Sequence, residues 1–212
     1  MDPIGLHRAA WINGLGNDWL KRNRDQMRQS SEALTAMEKL NIVPKNVLEI
    51  GCANGEQLIK IKNKFNCSVL GIDPSPDGVM ETIRSGAQAI VATADRIPAD
   101  NHQFDVVIFG FCLCFIAPED WINVVAESNR VLADGGYLII CDFIGCRYGK
   151  QKFMQVKIND EPALIHIFVY DWASLWIINP GYQLIYDNHI WDKAEITVVL
   201  KKDFGRLLES VT

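Results

Sequence analysis

The segment VLEIGCANG, residues 47–55, combines an acid with small residues in a pattern that suits ligand binding. Small residues let a ligand lie against the backbone, and a strand–helix turn points free N–H groups towards it. The order Glu49, Gly51, Gly55 differs from the dinucleotide fingerprint G-x-G-x-x-G. An acid just before the first glycine would repel a pyrophosphate, and it suits a positively charged group such as an amine. The alternative is a tight turn that binds no ligand.

A second acid, Asp73, closes the next apolar run, VLGID, and is followed by Pro74. In doubly wound folds, an acid at the end of the second strand accepts hydrogen bonds from ribose hydroxyls. A carboxylate offers two oxygens to a cis-diol, so the residue type fits this task. The alternative role is the cap of the following helix, where acids are common.

Two further segments bring polar and small residues to the same predicted edge of a sheet. The polar stretch Thr93-Ala94-Asp95 follows an apolar run, and it could hydrogen-bond an adenine edge through a side chain and a backbone N–H. The next apolar run would bring Phe109, Gly110 and Phe111 to the same place. The alternative for both segments is ordinary loop and core, and core is the stronger interpretation for Phe109.

Strand and helix candidates alternate through the middle of the chain, each strand rich in Val, Ile, Leu or Phe and bounded by turn residues. The predicted strands are 46–50, 68–72, 89–91, 104–109 and 136–142, and the predicted helices are 56–65, 78–85 and 118–132. Continuously apolar strands are typical of a parallel sheet covered on both faces. This alternation predicts right-handed βαβ units, and therefore an α/β fold with a doubly wound, mostly parallel sheet.

The whole chain is predicted to form one domain with four parts. Helical spacing from Asp18 to Leu40 indicates an N-terminal helical cap. Beyond the sheet, an insert without regular structure is expected, followed by two strand-like runs with no helix between them, which predicts an antiparallel pair. The four parts are 1–41 (cap), 42–143 (core), 144–180 (insert) and 181–201 (strand pair).

Composition and charge exclude several classes of protein. The chain has 212 residues, a formal net charge of −5 and 49% hydrophobic residues, which fits a globular domain and disfavours a protein that mainly grips nucleic acid. The longest apolar run, 106–117, is shorter than the roughly 20 residues of a membrane span. The N-terminus lacks the apolar stretch of a secretory signal, so a cytoplasmic location is expected.

The cysteines point to buried free thiols. Six cysteines occur without a CxxC pair, which disfavours both disulfides and metal ligands. Cys112 and Cys114 would share a face if they lay in a strand, but no histidine or second cysteine pair supports a metal site there. We therefore predict no metal.

In their order and spacing, these segments resemble the class I S-adenosylmethionine-dependent methyltransferases over residues 46–201. VLEIGCANG resembles that superfamily's first motif, GIDPS its acidic second-strand motif, and ATADRIP with FDVVIFGF its third and fourth motifs. The segment RVLADGGYLII resembles its "RVLkPGGyl" segment, and the C-terminal strand pair fits its reversed seventh strand. Ala53 and Thr93 depart from the family, which more often has Gly and Asp at these positions.

The resemblance implies a Rossmann-like methyltransferase fold with a seven-stranded sheet, which binds S-adenosyl-L-methionine. Glu49 would face the cofactor's amino group, Asp73 its ribose diol, and the stretch 93–95 its adenine. The cofactor-binding residues implied by these motif positions are Glu49, Gly51, Cys52, Ala53, Gly55, Asp73, Pro74, Thr93, Ala94, Asp95, Phe109 and Gly110.

The N-terminal stretch WINGLGNDWLKRN, residues 11–23, resembles a narrower set of methyltransferases associated with surface sugars, including pseudaminic acid. That resemblance implies that Trp19, Arg22 and Asn23 close over the cofactor, with Arg22 or Asn23 pairing its carboxylate. The alternative, of equal weight, is an amphipathic helix whose tryptophans pack on the sheet.

Methyl transfer from a sulfonium is an in-line displacement, so the main task of such an enzyme is to hold the acceptor beside the methyl group. A base is needed only where the acceptor must lose a proton, as a hydroxyl does. The candidate bases are His166, within an apolar stretch, and Asp142, at the end of the fifth predicted strand. A lone histidine in apolar surroundings more often has a structural role.

The resulting hypothesis is a methyltransferase that acts on O or N of a small polar metabolite, such as a sugar or sugar nucleotide, without a nucleic-acid partner. The Asn/Asp-Pro-Pro-Tyr tetrapeptide of enzymes that methylate exocyclic base nitrogens is missing, since GFCL stands at 110–113. One alternative is a non-catalytic protein of the same fold that binds S-adenosylmethionine or a partner. Another is a nicotinamide-dependent oxidoreductase, whose fingerprint would need Gly at Cys52 or Ala53.

Overall fold

A seven-stranded sheet with helices on both faces forms the centre of the molecule, which is described here by a computed structural model. The described residues are 8–27, 31–143, 150–158, 161–190 and 194–204. At 25–27, 150–158, 161–167 and 169 the description covers the backbone alone.

The strand order of the sheet is β3-β2-β1-β4-β5-β9-β8. Strands β1 to β5 are parallel to their sheet neighbours within this group, whereas β9 runs antiparallel to both β5 and β8. The doubly wound sheet and the antiparallel C-terminal pair expected from the sequence are therefore confirmed. The bounds are β1 Asn46–Ile50, β2 Ser68–Asp73, β3 Gln88–Val91, β4 Phe104–Gly110, β5 Leu132–Phe143, β8 Tyr182–Ile190 and β9 Glu195–Lys202.

Helices connect the parallel strands close to where the sequence predicts them. Helix α4 begins earlier than predicted because Ser75 caps it, its Oγ accepting from the N–H of Gly78 at 3.0 Å, and because Pro76 suits the first helical position. A short 3₁₀ turn, Pro118–Asp120, precedes α5. The helices are α1 Gly16–Met27, α2 Glu32–Lys39, α3 Glu56–Phe65, α4 Pro76–Arg84, α5 Trp121–Val131 and α6 Ser174–Ile177.

The central strands are apolar throughout because helices cover both of their sides. In β4 the residues from Val106 to Phe109 are fully buried. Phe109 belongs to the apolar cluster on one side of the sheet and Ile108 to the cluster on the other. Two packed layers hold the sheet rigidly, so the carboxyl ends of its parallel strands are fixed side by side at one edge.

The N-terminal part contains two helices rather than one continuous helical stretch. A wide π-type turn, Trp11–Leu15, precedes α1, and Gly14 within it has a φ of 142°. That backbone conformation favours glycine and separates the turn from the helix. Helix α2 follows as a separate element whose buried residues include Met37.

The insert, expected to lack regular structure, contains an antiparallel hairpin, so that expectation was wrong. Strands β6 (Lys150–Ile158) and β7 (Glu161–Val169) form a separate two-stranded sheet. The apolar run in β7 is rich in residues that favour strands. Phe168 is buried, and its ring lies 6.3 Å from that of Trp121 on α5. The hairpin also contacts the turns at 11–15 and 113–115.

Two further expectations concern membranes and thiols. Across the described ranges, no helix has the length and apolarity needed to cross a bilayer. The described cysteines at 52, 67, 112, 114 and 141 are free thiols, and Cys146 lies outside the described residues. Cys112 and Cys114 lie in the turn after β4 and not in a strand, so the strand face that they would have shared is not formed.

Candidate functional site

A cavity opens at the carboxyl edge of β1, β2 and β4, and it encloses about 880 Å³ with its open mouth included. Its walls come from the turns after these strands, from the segment after β3 and from the N-terminal residues. Doubly wound folds bind their ligands at this edge. The predicted site residues that line the cavity are Trp19, Gly51, Ala53, Asp73, Pro74, Thr93, Ala94, Asp95 and Gly110.

The turn after β1 adopts a left-handed backbone that brings it close to two other strand ends. Gly51 has a φ of 78° and Ala53 a φ of 47°. A Cβ on Gly51 would lie 2.6 Å from Cβ of Cys112, so a side chain has no room there. The N–H of Ala53 donates to Oδ2 of Asp73 at 2.9 Å. The glycine therefore allows the turns after β1 and β4 to meet at the cavity floor.

Glu49, predicted to bind the cofactor, lies outside the cavity lining, behind Gly110, and is only 3% exposed. Its Oε1 accepts from Nε2 of Gln57 at 2.6 Å, whereas the buried Oε2 has no hydrogen-bond partner among the described residues. A Cβ on Gly110, which lines the cavity, would lie 2.9 Å from Oε1. Burial raises the pKa of Glu49 to about 8, although the hydrogen bond from Gln57 lowers it. A buried carboxyl group with a free oxygen is suited to a cationic ligand.

Asp73 lines the cavity and organises the two turns beside it. Its Oδ1 accepts from the N–H of Ser75 at 2.8 Å, and its Oδ2 accepts from the N–H of Ala53 at 2.9 Å. Burial raises the pKa of Asp73 to about 6, and the two backbone hydrogen bonds lower it. Each carboxylate oxygen can accept a further hydrogen bond, so the group can still receive a pair of hydroxyls.

The buried Glu49 predicts that the ligand-free protein gains stability as the pH falls from about 8 to about 6. Because its pKa is about 8 in the folded chain and 4.5 as a free group, the folded state binds the proton first, and this stabilisation is lost as the pH rises through 8. One extra bound proton changes the free energy of unfolding by about 1.4 kcal/mol per pH unit. Urea denaturation across this range measures the slope. Glu49→Gln should flatten it, and an unchanged slope in that variant would contradict the assignment.

The segment after β3 forms one side of the cavity mouth. Thr93, Ala94 and Asp95 all line it. Nη1 of Arg8 lies 3.1 Å from Oδ2 of Asp95, and Nη2 of the same guanidinium donates to Asp120. Arg8 therefore ties the N-terminal segment to both sides of the mouth.

Helix α1 covers the cavity with one face. The cavity is lined by Gly16, Trp19 and Leu20, which lie at positions i, i+3 and i+4 and therefore on one face of the helix. Oδ1 of Asn17 accepts from Oγ of Ser75 at 2.6 Å, which fastens the helix to the turn after β2. The N-terminal cap therefore lies over the site that the motifs form.

Aromatic rings from two segments form another wall. Trp11 and Trp19 lie 4.8 Å and 6.2 Å, centroid to centroid, from the ring of Phe115. All three residues line the cavity, together with Phe111. This wall is apolar, so it can exclude water from a ligand held against it.

Cys52 and Gly55, both predicted to bind the cofactor, lie outside the cavity lining. A Cβ on Gly71 would lie 2.5 Å from Sγ of Cys52, so the thiol packs over β2. A Cβ on Gly55 would lie 2.5 Å from Cγ2 of Thr82, so this glycine makes room for α4. The close approach expected at Gly55 is therefore a helix contact, and ligand contacts by these two residues stay predictions.

Phe109, Arg22 and Asn23 also lie outside the lining. Phe109 is fully buried, and its ring lies 5.4 Å from that of Trp176, which confirms its interpretation as core. Arg22 is exposed, and Nδ2 of Asn23 donates to the carbonyl oxygen of Trp19. In this arrangement the cofactor contacts of Arg22 and Asn23 stay predictions.

Asp142 is fully buried behind the turn after β4. Its Oδ2 accepts from the N–H of Leu113 at 2.8 Å and of Cys114 at 3.4 Å, and its Oδ1 accepts from its neighbour Phe143 at 2.7 Å. Burial raises the pKa of Asp142 to about 6. Asp142 lies outside the cavity lining, and this geometry suits an anchor for the turn better than the predicted base.

His166 lies on β7, opposite Phe153 of β6. Its side chain lies outside what the structure describes, so its role as a base stays a prediction.

Cys112 lines the cavity but is already engaged. Its Sγ donates to the carbonyl oxygen of Ile50 at 3.2 Å, and burial raises its pKa, so it is a thiol at neutral pH. In the part of the chain that the structure describes, no group of three His, Cys, Asp or Glu residues is arranged to hold a metal ion.

Sequence reasoning missed much of the lining outside the motifs. The large aromatic residues in the otherwise polar N-terminal segment, such as Trp11, could have indicated that this segment packs over the cavity. Gln57 offered only a polar residue in the first turn of a helix, which is too common to single out. Phe111 was expected at this edge of the sheet and lines the cavity. The lining residues not predicted include Arg8, Trp11, Gly16, Leu20, Ser75, Cys112, Phe115, Ile116, Ala117 and Asp120.

Residues 47–136 match a protein family described as "Methyltransferase domain". This range holds the turn after β1, Asp73, the segment after β3 and the turn after β4, which are the main walls of the cavity. The resemblance to methyltransferases is confirmed over this range. The narrower resemblance to surface-sugar methyltransferases stays a prediction.

Curated relatives are similar over parts of their length. An uncharacterised protein of Mycobacterium tuberculosis is 34% identical over 93 residues, which cover 44% of this chain and 30% of that protein. A carboxy-S-adenosyl-L-methionine synthase of Shewanella loihica is 22% identical over 142 residues, 62% of this chain and 58% of that protein. The matches thus span less than two thirds of either relative.

Solved structures share the fold of this chain over most of its length. The 1,6-didemethyltoxoflavin-N1-methyltransferase of Burkholderia thailandensis, with bound 1,6-didemethyltoxoflavin and S-adenosylhomocysteine, has a TM-score of 0.66 at 14% identity. The similarity covers 89% of this chain and 85% of that one. The fold is therefore the Rossmann-like fold of the methyltransferases, as the sequence predicts.

Proposed function

We propose that this chain is an S-adenosyl-L-methionine-dependent methyltransferase that acts on O or N of a small polar metabolite. The observation that carries this proposal is a pair of buried carboxyl groups at the ends of β1 and β2. Asp73 lines the cavity, whereas Glu49 lies outside the lining and has a buried oxygen without a hydrogen-bond partner among the described residues. A ligand with an ammonium group and a ribose diol complements both. The family match over 47–136 supports the same function.

In this proposal, each part of the cofactor meets one strand end. Its ammonium pairs with Glu49, its ribose diol with Asp73, and its adenine lies along the stretch 93–95, which lines the cavity mouth. Gly51 and Gly110 let the ligand lie against the backbone at the floor. The bound cofactor would supply an activated methyl group on a sulfonium.

The chain's own contribution is to hold the acceptor in line with that methyl group and to exclude water. The aromatic wall at Trp11, Phe111 and Phe115 and the β6–β7 hairpin are proposed to enclose the acceptor. For a hydroxyl acceptor the proposed base is His166, whereas an amine with a free lone pair needs none. A sugar or sugar nucleotide is the suggested acceptor, from the resemblance of residues 11–23.

Isothermal titration of the purified chain with S-adenosylmethionine, S-adenosylhomocysteine and NAD tests this function. We expect dissociation constants on the order of micromolar for S-adenosylmethionine and S-adenosylhomocysteine, and no measurable binding of NAD. Transfer of a labelled methyl group to a panel of nucleotide sugars and small amines then identifies the acceptor class. Binding of NAD alone would contradict the proposal. Cofactor binding without transfer to any acceptor would favour the non-catalytic alternative.

A further inference from the structure

We infer that Gln57 is a positioning residue that orients the carboxylate of Glu49, so that its free oxygen receives the ammonium group of an amino-acid-bearing ligand. This inference rests on the proposed function and assigns a role to a residue outside the family motifs. Gln57 itself does not touch the ligand in this inference, since it acts through Glu49.

The geometry around Glu49 leaves one oxygen for a ligand. Nε2 of Gln57, on the first turn of α3, donates to Oε1 at 2.6 Å. Oε2 is buried and lacks a partner within the described residues. In the sheet, Glu49 is flanked by Gly71 of β2 and Ile108 of β4, which offer no side-chain hydrogen bond. Gln57 is therefore the side chain that determines which oxygen stays free.

The charged neighbour of Glu49 is another acid, so the local electrostatics favour binding of a cation. Burial is the main cause of the raised pKa of Glu49, and the negative charge of Asp73 on β2 raises it further. Three thiols lie nearby: Cys52 after β1, Cys112 after β4 and Cys141 in β5. Their pKa values are raised, so they stay neutral. No salt bridge reaches Glu49 in the described ranges. A ligand ammonium would supply the missing positive charge.

Gln57 matters because an ammonium group is bound best by an ionised carboxylate. Burial favours the neutral acid, and the N–H of Gln57 is the contact that lowers the pKa of Glu49. Without this donor, Glu49 would be ionised only at a higher pH, and its side chain could rotate away from the ligand. A hydrogen bond to a charged group is strong enough to change the affinity roughly tenfold or more.

The test compares Gln57→Met with the wild-type chain for two ligands. S-adenosylhomocysteine carries the amino-acid group, whereas 5′-methylthioadenosine lacks it. At about pH 7 we expect the variant to bind S-adenosylhomocysteine roughly tenfold more weakly, while its affinity for 5′-methylthioadenosine is unchanged. The ratio of the two proteins' dissociation constants for S-adenosylhomocysteine should fall as the pH rises to about 9.5, because Glu49 then ionises in both, and the part of the ratio that remains above one measures the lost orientation. The ligand's own titration cancels in this ratio.

Gln88→Met is the matched control, because Gln88 is exposed at the start of β3. It should bind both ligands like the wild type. If Gln57→Met weakens both ligands equally at every pH, Gln57 is merely structural and the inference fails while the proposed function stands. If the variant binds both ligands like the wild type, the inference also fails. If the wild-type chain binds neither ligand, the proposed function itself is overturned.

Discussion

Replacing Asp73 by alanine is expected to weaken binding of S-adenosylmethionine at least about 100-fold, since the two charge-assisted hydrogen bonds that we propose between Asp73 and the ribose would be lost. Asp73 lines the cavity, and its two oxygens already hold the turns at Ala53 and Ser75. The substitution therefore removes a ligand contact and loosens the surrounding backbone. Isothermal titration of the wild type and the variant measures the loss.

A ligand lacking the ribose 2′-hydroxyl separates these two effects. In the wild type, removing the hydroxyl from S-adenosylhomocysteine should weaken binding, whereas in Asp73→Ala it should change little, because the partner is absent. Asp73→Asn is the conservative control, since one side-chain oxygen remains as an acceptor. Equal sensitivity to the missing hydroxyl in the wild type and in Asp73→Ala would show that Asp73 does not bind the ribose.

The parallel part of the sheet could be predicted from the sequence because its strands are buried on both sides. Such strands have to be continuously apolar, and they end abruptly at polar or glycine turns. The predicted and observed bounds of β1 coincide, and the acid at the end of β2 lies at the cavity as expected. The β6–β7 hairpin was missed because its first strand, KQKFMQVKI, mixes charged and polar residues with apolar ones and lacks the continuous apolar run of a strand buried on both sides.

Side-chain direction was harder to predict than position in the chain. Phe109 and Gly110 are adjacent, yet one is core and the other lines the cavity, because successive residues of a strand point to opposite faces. Cys52 lies in the motif turn, but its thiol packs over Gly71. A motif identifies the backbone that approaches a ligand without showing which side chains turn towards it.

The side-chain contacts that hold the N-terminal cap against the cavity could not be predicted. Arg8 pairs with Asp95 and Asp120, and Asn17 receives a hydrogen bond from Ser75. Each of these residues has a common type, and its neighbours in the chain give no sign of the partner. Such contacts arise only once the sheet has fixed the ends of its strands and the N-terminal cap has packed over them.

The three buried acids at the carboxyl ends of β1, β2 and β5 differ in what their oxygens contact, and this separates their roles. Glu49 keeps one oxygen without a partner among the described residues. Asp73 holds two turns and still lines the cavity. Asp142 holds the turn after β4 with both oxygens and lies outside the lining. Asp73 thus faces the cavity, Glu49 lies outside the lining but keeps an oxygen that the proposed ligand could use, and Asp142 shapes the wall that the ligand would meet.

Replacing Asp142 by leucine is expected to lower the free energy of unfolding by roughly 3–9 kcal/mol, because three buried or partly buried N–H groups lose their acceptor at about 1–3 kcal/mol each. These groups belong to Leu113, Cys114 and Phe143. A loss of this size is a large share of the roughly 5–15 kcal/mol that stabilises a typical domain. Urea denaturation near neutral pH measures it.

Asp142→Asn is the informative companion, because it keeps one acceptor oxygen in a side chain of the same shape. We expect it to lose roughly 1–2 kcal/mol, and to bind the cofactor more weakly because the turn that carries Phe111 and Phe115 is less firmly held. If Asp142 anchors the turn, methyl transfer by this variant should fall together with ligand affinity. Wild-type stability and affinity with methyl transfer abolished would instead support the role of base that the sequence suggested, and the anchor assignment would then be wrong.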